Sequence, residues 1–266
     1  IPSSGQRGYG RWVQHARLAD ANIYAALFAG FADRLDHPCI IDATGDVLTY
    51  RELDRRSAQV ASALRSLGVG VGDRVALQVD KSPEALITYL GVVRAGAVFL
   101  PLNPAYRAEE VAYFLHDAEP ALAIGRPSDR GWFDDVAAAA AVRHVRHLGG
   151  HGDGSWAELI AAAGADGDTG RTHTSPDDLA TIVYTSGTTG RSKGAMLTHR
   201  NLISNGRALQ RIWQFDGDDV LIHALPIFHV HGLYIATHTA MLTGIPMLFH
   251  RCFDSAAVLA SLREAT

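Results

Sequence analysis

The sequence predicts an α/β protein, with a mostly parallel sheet layered between crossover helices in an αβα arrangement. Two observations carry this prediction. Short apolar runs typical of buried strands alternate along the chain with segments whose apolar residues recur at helical spacing. Several of these helical segments begin or end at residues that cap helices. This alternation favours parallel strands joined by helices.

The first predicted elements lie between residues 22 and 68. NIYAALFAGFADRLDH at 22–37 has the period of a helix, and CIIDA at 39–43 follows as a short strand. LTYRELDRRSAQVASALRSLG at 48–68 is a second helix, in which Thr49 and Glu52 fit a capping box and Gly68 fits the end.

The next elements repeat the pattern. DRVALQV at 73–79 is typical of a buried strand, and Ser82-Pro83-Glu84 fits the start of a helix. The longest apolar stretch, at 86–102, contains an arginine and two glycines and is too short to cross a bilayer comfortably, so it predicts a helix that runs into a strand. A helix at 108–120 and the strand ALAIG at 121–125 follow.

Regular patterning weakens between about 134 and 178. This stretch has many turn-forming residues and few large apolar ones, so we expect surface helix and mobile connection there. Order resumes with DLATIVY at 178–184, which predicts a strand.

Composition excludes several classes of function. The 266 residues are 47% hydrophobic and 20% charged, which is ordinary for a globular protein. The formal net charge of −4 gives no reason to expect nucleic acid or an anionic membrane as a partner. The two cysteines, Cys39 and Cys252, have no metal-binding or disulfide spacing, and residues 1–21, an N-terminal extension, lack a secretion signal. We therefore expect a cytoplasmic protein with reduced thiols.

The segment YTSGTTGRSKG at 184–194 has the composition of a phosphate-binding loop. Glycines let backbone N–H groups approach an oxyanion, hydroxyl side chains add donors, and Lys193 adds a positive charge. The nucleoside-triphosphate pattern GxxxxGK[ST] does not fit, because Ser192 precedes the lysine and Gly194 follows it. The plain alternative for such a stretch is a polar hairpin loop.

The same eleven residues closely resemble the signature loop of the acyl-adenylate-forming enzymes, which include acyl-CoA synthetases, peptide-synthetase adenylation domains and luciferases. LTYREL at 48–53, VRAGAVFLPLNP at 93–104 and ALPIFHVHGL at 224–233 resemble further motifs of that superfamily, in the same order. The resemblance covers about residues 22–266. It implies that these residues form an incomplete N-terminal domain that binds ATP and the acid. The family's later motifs, among them YGxTE, and its C-terminal lid domain are absent from these 266 residues.

The resemblance also implies a reaction. A carboxylate attacks the α-phosphate of Mg²⁺·ATP, and a thiol, usually that of coenzyme A, then displaces AMP. Lys193 would act as a catalytic cation on the phosphates. By the same resemblance, the residues that would wrap the β- and γ-phosphates are Thr185, Ser186, Gly187, Thr188, Thr189 and Gly190. Because catalysis in this family needs the later motifs, we expect the 266 residues alone to be inactive.

Three histidines, His223, His229 and His231, lie close together in HALPIFHVHGL at 223–233. On a strand, alternate histidines would share a face and could form half of a metal site, but no HExxH, paired cysteine or nearby carboxylate completes one. A packed core histidine is the other plain alternative. The resemblance instead implies that His229 is catalytic and lies where the acid, the α-phosphate and the thiol meet, and that His231 lines the acid pocket.

Within the superfamily, this segment and the loop most resemble malonyl-CoA synthetases, so we expect malonate as the acid. Its far carboxylate needs a basic partner, for which Arg251 or a residue beyond position 266 are the candidates. Fatty or aromatic acids, a carrier-bound thiol as acceptor and a non-catalytic nucleotide-binding module remain the alternatives. The sequence carries no information on oligomeric state.

Overall fold

The structure of the protein is a computed structural model that describes residues 22–164, 171–185 and 191–264. Helices and strands alternate along the chain, as the sequence predicts. The helices are α1 (Ile23–Phe31), α2 (Tyr50–Ser66), α3 (Pro83–Arg94), α4 (Ala108–Ala118), α5 (Arg130–Ala139), α6 (Ser155–Ala162), α7 (His199–Ile212), α8 (His238–Thr243) and α9 (Ser255–Glu264), with a π-helix at His231–Thr237.

The strands belong to two sheets. They are β1 (Pro38–Asp42), β2 (Val47–Thr49), β3 (Arg74–Leu77), β4 (Val98–Pro101), β5 (Leu122–Gly125), β6 (His144–His147), β7 (Leu179–Thr185), β8 (Lys193–Thr198), β9 (Leu221–His223) and β10 (Met247–Phe249). One sheet has the order β6-β5-β3-β4-β7-β8 and the other β2-β1-β10-β9. Every pairing is parallel except β7 with β8 and β1 with β2.

Helices cover both faces of the six-stranded sheet, which confirms the predicted layers. Successive side chains of a strand point to opposite faces. Accordingly, Val75 and Leu77 of β3 pack in a core cluster with α1, α2, α3 and α8, whereas Ala76 between them packs with α4 and α5. The first cluster also contains residues of β1 and β10. It therefore joins the second sheet to the same helices.

Local sequence signals set several helix ends. Thr49 caps α2 by accepting a hydrogen bond from the backbone N–H of Glu52, and Ser82 caps α3 in the same way through Ala85. The predicted capping box at α2 is only half formed, because the carboxylate of Glu52 binds Arg55 instead. Gly68 follows α2 with φ of 70°, a left-handed conformation that glycine adopts without a steric penalty.

The predicted surface helix and connection between 134 and 178 is partly wrong. HVRH forms β6, an edge strand paired in register with β5. Most of its side chains are polar and half-buried, so the sequence shows no apolar run there. The pairing with β5, which the sequence does not reveal, makes this segment a strand. Trp156 of α6 is fully buried, and its indole N–H donates to the hydroxyl of Thr88 on α3 at 3.0 Å.

A buried ion pair joins the first three helices. The guanidinium of Arg94 on α3 donates to the Asp54 carboxylate of α2 at 2.8 Å and to the Tyr24 hydroxyl of α1 at 2.9 Å. Cys39 is buried and Cys252 is exposed, and neither forms a disulfide. Within the described ranges, no helix is both long and apolar enough to cross a membrane.

Candidate active site

The predicted phosphate loop joins two antiparallel strands of the six-stranded sheet. Tyr184 pairs with Gly194 and Thr185 pairs with Lys193, so the last residue of β7 lies opposite the first residue of β8. The loop residues predicted to wrap phosphates between these strands lie outside the described residues: Ser186, Gly187, Thr188, Thr189 and Gly190. Of the predicted set, the structure therefore places Thr185 and Lys193, at the two ends of the loop.

Thr185 and Lys193 are both exposed at this position. The hydroxyl of Thr185 lies 3.5 Å from the carbonyl oxygen of Lys193, across the strand pair. The ammonium group of Lys193 forms no ion pair with any residue of the described part of the chain. A lysine held at a strand end with no carboxylate partner is available to bind an anionic group.

Helix α4 holds both ends of the loop, which the sequence did not indicate. The hydroxyl of Tyr113 donates to the carbonyl of Ser192 at 2.7 Å, and the hydroxyl of Tyr184 donates to the carboxylate of Asp117 at 2.5 Å. Tyr113 and Asp117 are four residues apart and so lie on one face of the helix. Phe114, next to Tyr113 in the sequence, packs on the Tyr184 ring, with centroids 4.5 Å apart.

The Tyr184 hydroxyl stays protonated and can keep donating to Asp117. Its partial burial raises its pKa above the ordinary value, and the hydrogen bond to the Asp117 carboxylate raises it further. The two ends of the loop therefore have separate attachments to the same helix, one through a side chain and one through the backbone.

Of the three histidines that the sequence singles out, only His223 lies on a strand. His223 ends β9, whereas His229 lies in the turn that follows and His231 opens the π-helix. His229 and His231 are exposed and their rings stack, with centroids 5.6 Å apart and planes 22° apart. Nδ1 of His229 accepts the backbone N–H of His231 at 3.4 Å. In the neutral His229 ring, the proton is therefore on Nε2.

His223 is not part of this exposed pair. It is buried and forms hydrogen bonds at both ring nitrogens, so it is a packed core histidine. Among the residues that the structure describes, no group of three or more His, Cys, Asp or Glu side chains could hold a metal ion.

The residue that follows the histidine turn (residues 226–233) contacts the strand that leads into the loop. Tyr234 of the π-helix and Thr181 of β7 have their hydroxyl oxygens 2.6 Å apart, and both side chains are buried. Arg251, the candidate partner for a second carboxylate, lies on an exposed segment and donates to the carbonyl of Gly150 at 2.6 Å.

Comparison with known proteins identifies the family of the chain. Residues 28–265 match the model of the family described as AMP-binding enzyme. The chain belongs to the AMP-binding enzyme family. The resemblance carried by the loop and the three further motifs is thus confirmed at the level of the family, and so is the fold class.

Relatives in this family include CoA ligases that act on different acids. The chain is 36% identical over 228 residues to a feruloyl-CoA synthase of Amycolatopsis sp, with 86% of this chain and 44% of the relative covered. It is 34% identical over 248 residues to 4-coumarate–CoA ligase 3 of Oryza sativa subsp. japonica, with 89% and 43% covered.

A solved relative has the same fold. The crystal structure of apo MatB from Rhodopseudomonas palustris superposes with a TM-score of 0.87 at 45% identity, with 93% of this chain and 48% of MatB covered. The ATP-bound MatB structure gives a TM-score of 0.86 at 46% identity, with the same coverage. The chain therefore spans less than half the length of these relatives.

Proposed function

We propose that the complete gene product is a carboxylate–CoA ligase. In the first step, an oxygen of the acid attacks the α-phosphorus of ATP and the bond to pyrophosphate breaks, giving an acyl-adenylate. In the second step, the sulfur of coenzyme A attacks the acyl carbon, and AMP and a proton are released. Membership of a family that includes CoA ligases, together with the geometry at the end of the β7–β8 strand pair, supports this proposal.

The observation that carries the proposal is the placement of Lys193 and Thr185 at the two ends of the loop. Both are exposed and lie on paired strands whose ends are attached to α4. In this proposal the Lys193 ammonium group binds the ATP phosphates and stabilises the negative charge that develops on departing pyrophosphate. Mg²⁺ enters with ATP as part of that substrate.

His229 and His231 serve the acid in this proposal. A neutral His229 with its proton on Nε2 can donate a hydrogen bond to the reacting carboxylate or to the α-phosphate. The contact between Tyr234 and Thr181 fixes the histidine turn relative to the strand that carries the loop. Positioning of two substrates is the main task of the protein in a reaction of this kind.

Malonate is the acid that we favour. The sequence around His229 and His231 resembles malonyl-CoA synthetases, and the 45% identity to MatB, a malonyl-CoA synthetase, exceeds the 36% identity to the feruloyl-CoA synthase. The relatives named for ferulate and 4-coumarate support an aromatic acid as the second candidate.

Exchange of labelled pyrophosphate into ATP tests the proposal. The complete gene product is assayed with malonate, acetate, a medium-chain fatty acid, ferulate and a mixture of amino acids, and coenzyme A thioesters are then measured for each acid that supports exchange. Exchange and thioester formation that are greatest with malonate support the proposal. A preference for another carboxylic acid overturns the choice of malonate. Exchange that only amino acids support overturns the ligase assignment. Absence of exchange with every acid tested overturns it as well.

A further inference from the structure

A buried lysine contacts His223, the residue that ends β9 shortly before the histidine turn. Lys81, just before the start of α3, has its ammonium nitrogen 2.9 Å from Nδ1 of His223 and 2.7 Å from the His223 carbonyl oxygen. The same nitrogen lies 4.2 Å from the centre of the Phe249 ring. Only 8% of Lys81 is exposed, and His223 is almost fully buried. These contacts join segments that are 142 residues apart in the sequence.

The contacts on the other side of the ring fix the tautomer of His223. Nε2 lies 2.9 Å from the carbonyl oxygen of Gly232 and 3.0 Å from the hydroxyl of Thr237. Thr237 donates its own proton to the same carbonyl at 2.9 Å. A carbonyl oxygen only accepts, so the neutral ring carries its proton on Nε2 and Nδ1 accepts from Lys81.

Gly232 links this network to the turn that carries His229. A Cβ at position 232 would lie 2.1 Å from the carbonyl oxygen of Pro226, so only glycine allows this close approach. The same Pro226 carbonyl accepts the backbone N–H of His229 at 3.4 Å, and the His229 carbonyl accepts the N–H of Leu233 at 3.0 Å. The peptide groups on both sides of His229 are thus held by a segment that His223 anchors.

We infer that Lys81 and His223 are positioning residues for His229. Lys81 donates to Nδ1 and thereby keeps the proton on Nε2, and Nε2 holds the Gly232 carbonyl and with it the turn from 226 to 233. Neither residue touches the substrates in this arrangement. The inference rests on the proposed function for its kinetic consequence, but the hydrogen-bond network itself is independent of that function.

The protonation behaviour of the pair is consistent with this arrangement. Burial, together with the positive charge of Lys81, lowers the pKa of His223 to about 4, and burial lowers the pKa of Lys81 to about 7. His223 therefore stays neutral at pH 7. Only a neutral ring can accept a hydrogen bond at one nitrogen and donate one at the other. Lys81 donates to both of its acceptors with or without its third proton.

The first test uses Lys81→Met, which keeps a long apolar side chain and removes both donors. In the complete gene product we expect kcat for adenylation to fall at least tenfold with KM for ATP within twofold of wild type, because a displaced His229 affects the reacting groups more than nucleotide binding. Thr88→Val is the matched control, since it removes the buried hydrogen bond between Thr88 of α3 and Trp156, which is not part of the His223 network. Equal kcat values in the two variants overturn the inference.

The second test is conservative replacement of the ring. His223→Gln retains one amide donor for Gly232 and one amide oxygen as acceptor, whereas His223→Leu retains neither. We expect the glutamine variant to keep several-fold more activity than the leucine variant. Equal loss in both variants would show that ring volume alone matters and would contradict the positioning role.

The third test does not depend on enzymatic activity. Nitrogen-15 NMR of the imidazole rings reports the tautomer of His223 and the environment of His229, with signals assigned from the His223→Gln and His229→Ala variants. We expect wild-type His223 to carry its proton on Nε2, and Lys81→Met to change both the His223 and the His229 signals. An unchanged His229 signal overturns the inference even if the complete gene product proves to have no ligase activity, so the two failures are distinguishable.

Discussion

Tyr234 of the π-helix donates a hydrogen bond to the Thr181 hydroxyl of β7, with the two oxygens 2.6 Å apart. The direction follows from the next contact, in which Thr181 gives its own proton to the carbonyl oxygen of Phe99 on β4 at 2.7 Å. That carbonyl only accepts, so the Thr181 oxygen must accept from Tyr234. One buried chain of hydrogen bonds thus connects the π-helix, which begins at His231, to β7 and β4, and β7 leads into the glycine-rich loop.

Replacing Tyr234 with phenylalanine should loosen this connection. We expect the free energy of unfolding to fall by about 1 kcal/mol, the usual cost of one buried hydrogen bond, and kcat for adenylation to fall several-fold. Tyr50→Phe is the matched control, because its hydroxyl donates to the Ile245 carbonyl at 2.8 Å in the same core but away from the loop. Urea unfolding and pyrophosphate exchange check the prediction. Loss of activity in both variants would show a general effect of stability.

Replacing Lys193 with methionine should impair adenylation without affecting the fold. The side chain is exposed, so we expect a change in unfolding free energy within about 0.5 kcal/mol. If Lys193 binds the ATP phosphates as proposed, its loss should lower kcat/KM for ATP by at least tenfold. Arg207→Met removes an exposed cation from α7 and should leave exchange unchanged. A wild-type rate for Lys193→Met would refute the phosphate role.

Replacing Tyr113 with phenylalanine should weaken ATP binding. The change removes the donor to the Ser192 carbonyl, which holds the end of the loop near Lys193. We expect KM for ATP to rise several-fold and the unfolding free energy to fall by about 1 kcal/mol. Tyr106→Phe removes a hydroxyl from the same aromatic cluster, in which Tyr106 contacts Phe114, and serves as the control. If both variants bind ATP equally well in calorimetry, α4 does not position the loop.

Stability should fall as pH drops from about 6.5 towards 5. Burial lowers the pKa of His238 to about 3 and, with the charge of Lys81, that of His223 to about 4, so both rings stay neutral in the folded protein. In the unfolded chain they bind protons below about pH 6.5, which favours unfolding by up to about 1.4 kcal/mol per histidine and pH unit.

The measurement is the urea midpoint at several pH values between 5 and 6.5. Lys81 has a pKa lowered to about 7 and adds a dependence of the same sign above that pH, so the range is kept below it. Carboxylates of the unfolded chain titrate near pH 4 and contribute little in this window. A midpoint that stays constant would contradict the neutral burial of the two histidines.

Local patterns were sufficient for most of the fold but not for the site. Strand β7, the caps at Thr49 and Ser82 and the helix–strand unit around Arg94 follow from residues close together in the sequence. The alternate spacing of His229 and His231 is not the spacing of a strand here. The two residues lie in a turn and a π-helix, which depend on the hydrogen bonds of His223 and Thr237 to the Gly232 carbonyl. A two-residue period cannot reveal hydrogen bonds from another segment.

By itself, the sequence determined the family, the α/β fold class and the position of the glycine-rich loop with Lys193 at its end. These features depend on hydrophobic periodicity and on contiguous residues, which short-range physical rules can interpret. Only the tertiary structure shows that Tyr113 forms a hydrogen bond with Ser192, 79 residues away, and that Lys81 forms one with His223, 142 residues away. Such contacts form because folding brings distant polar groups together in the core, where each must find a hydrogen-bond partner, and no local pattern encodes which partner it finds.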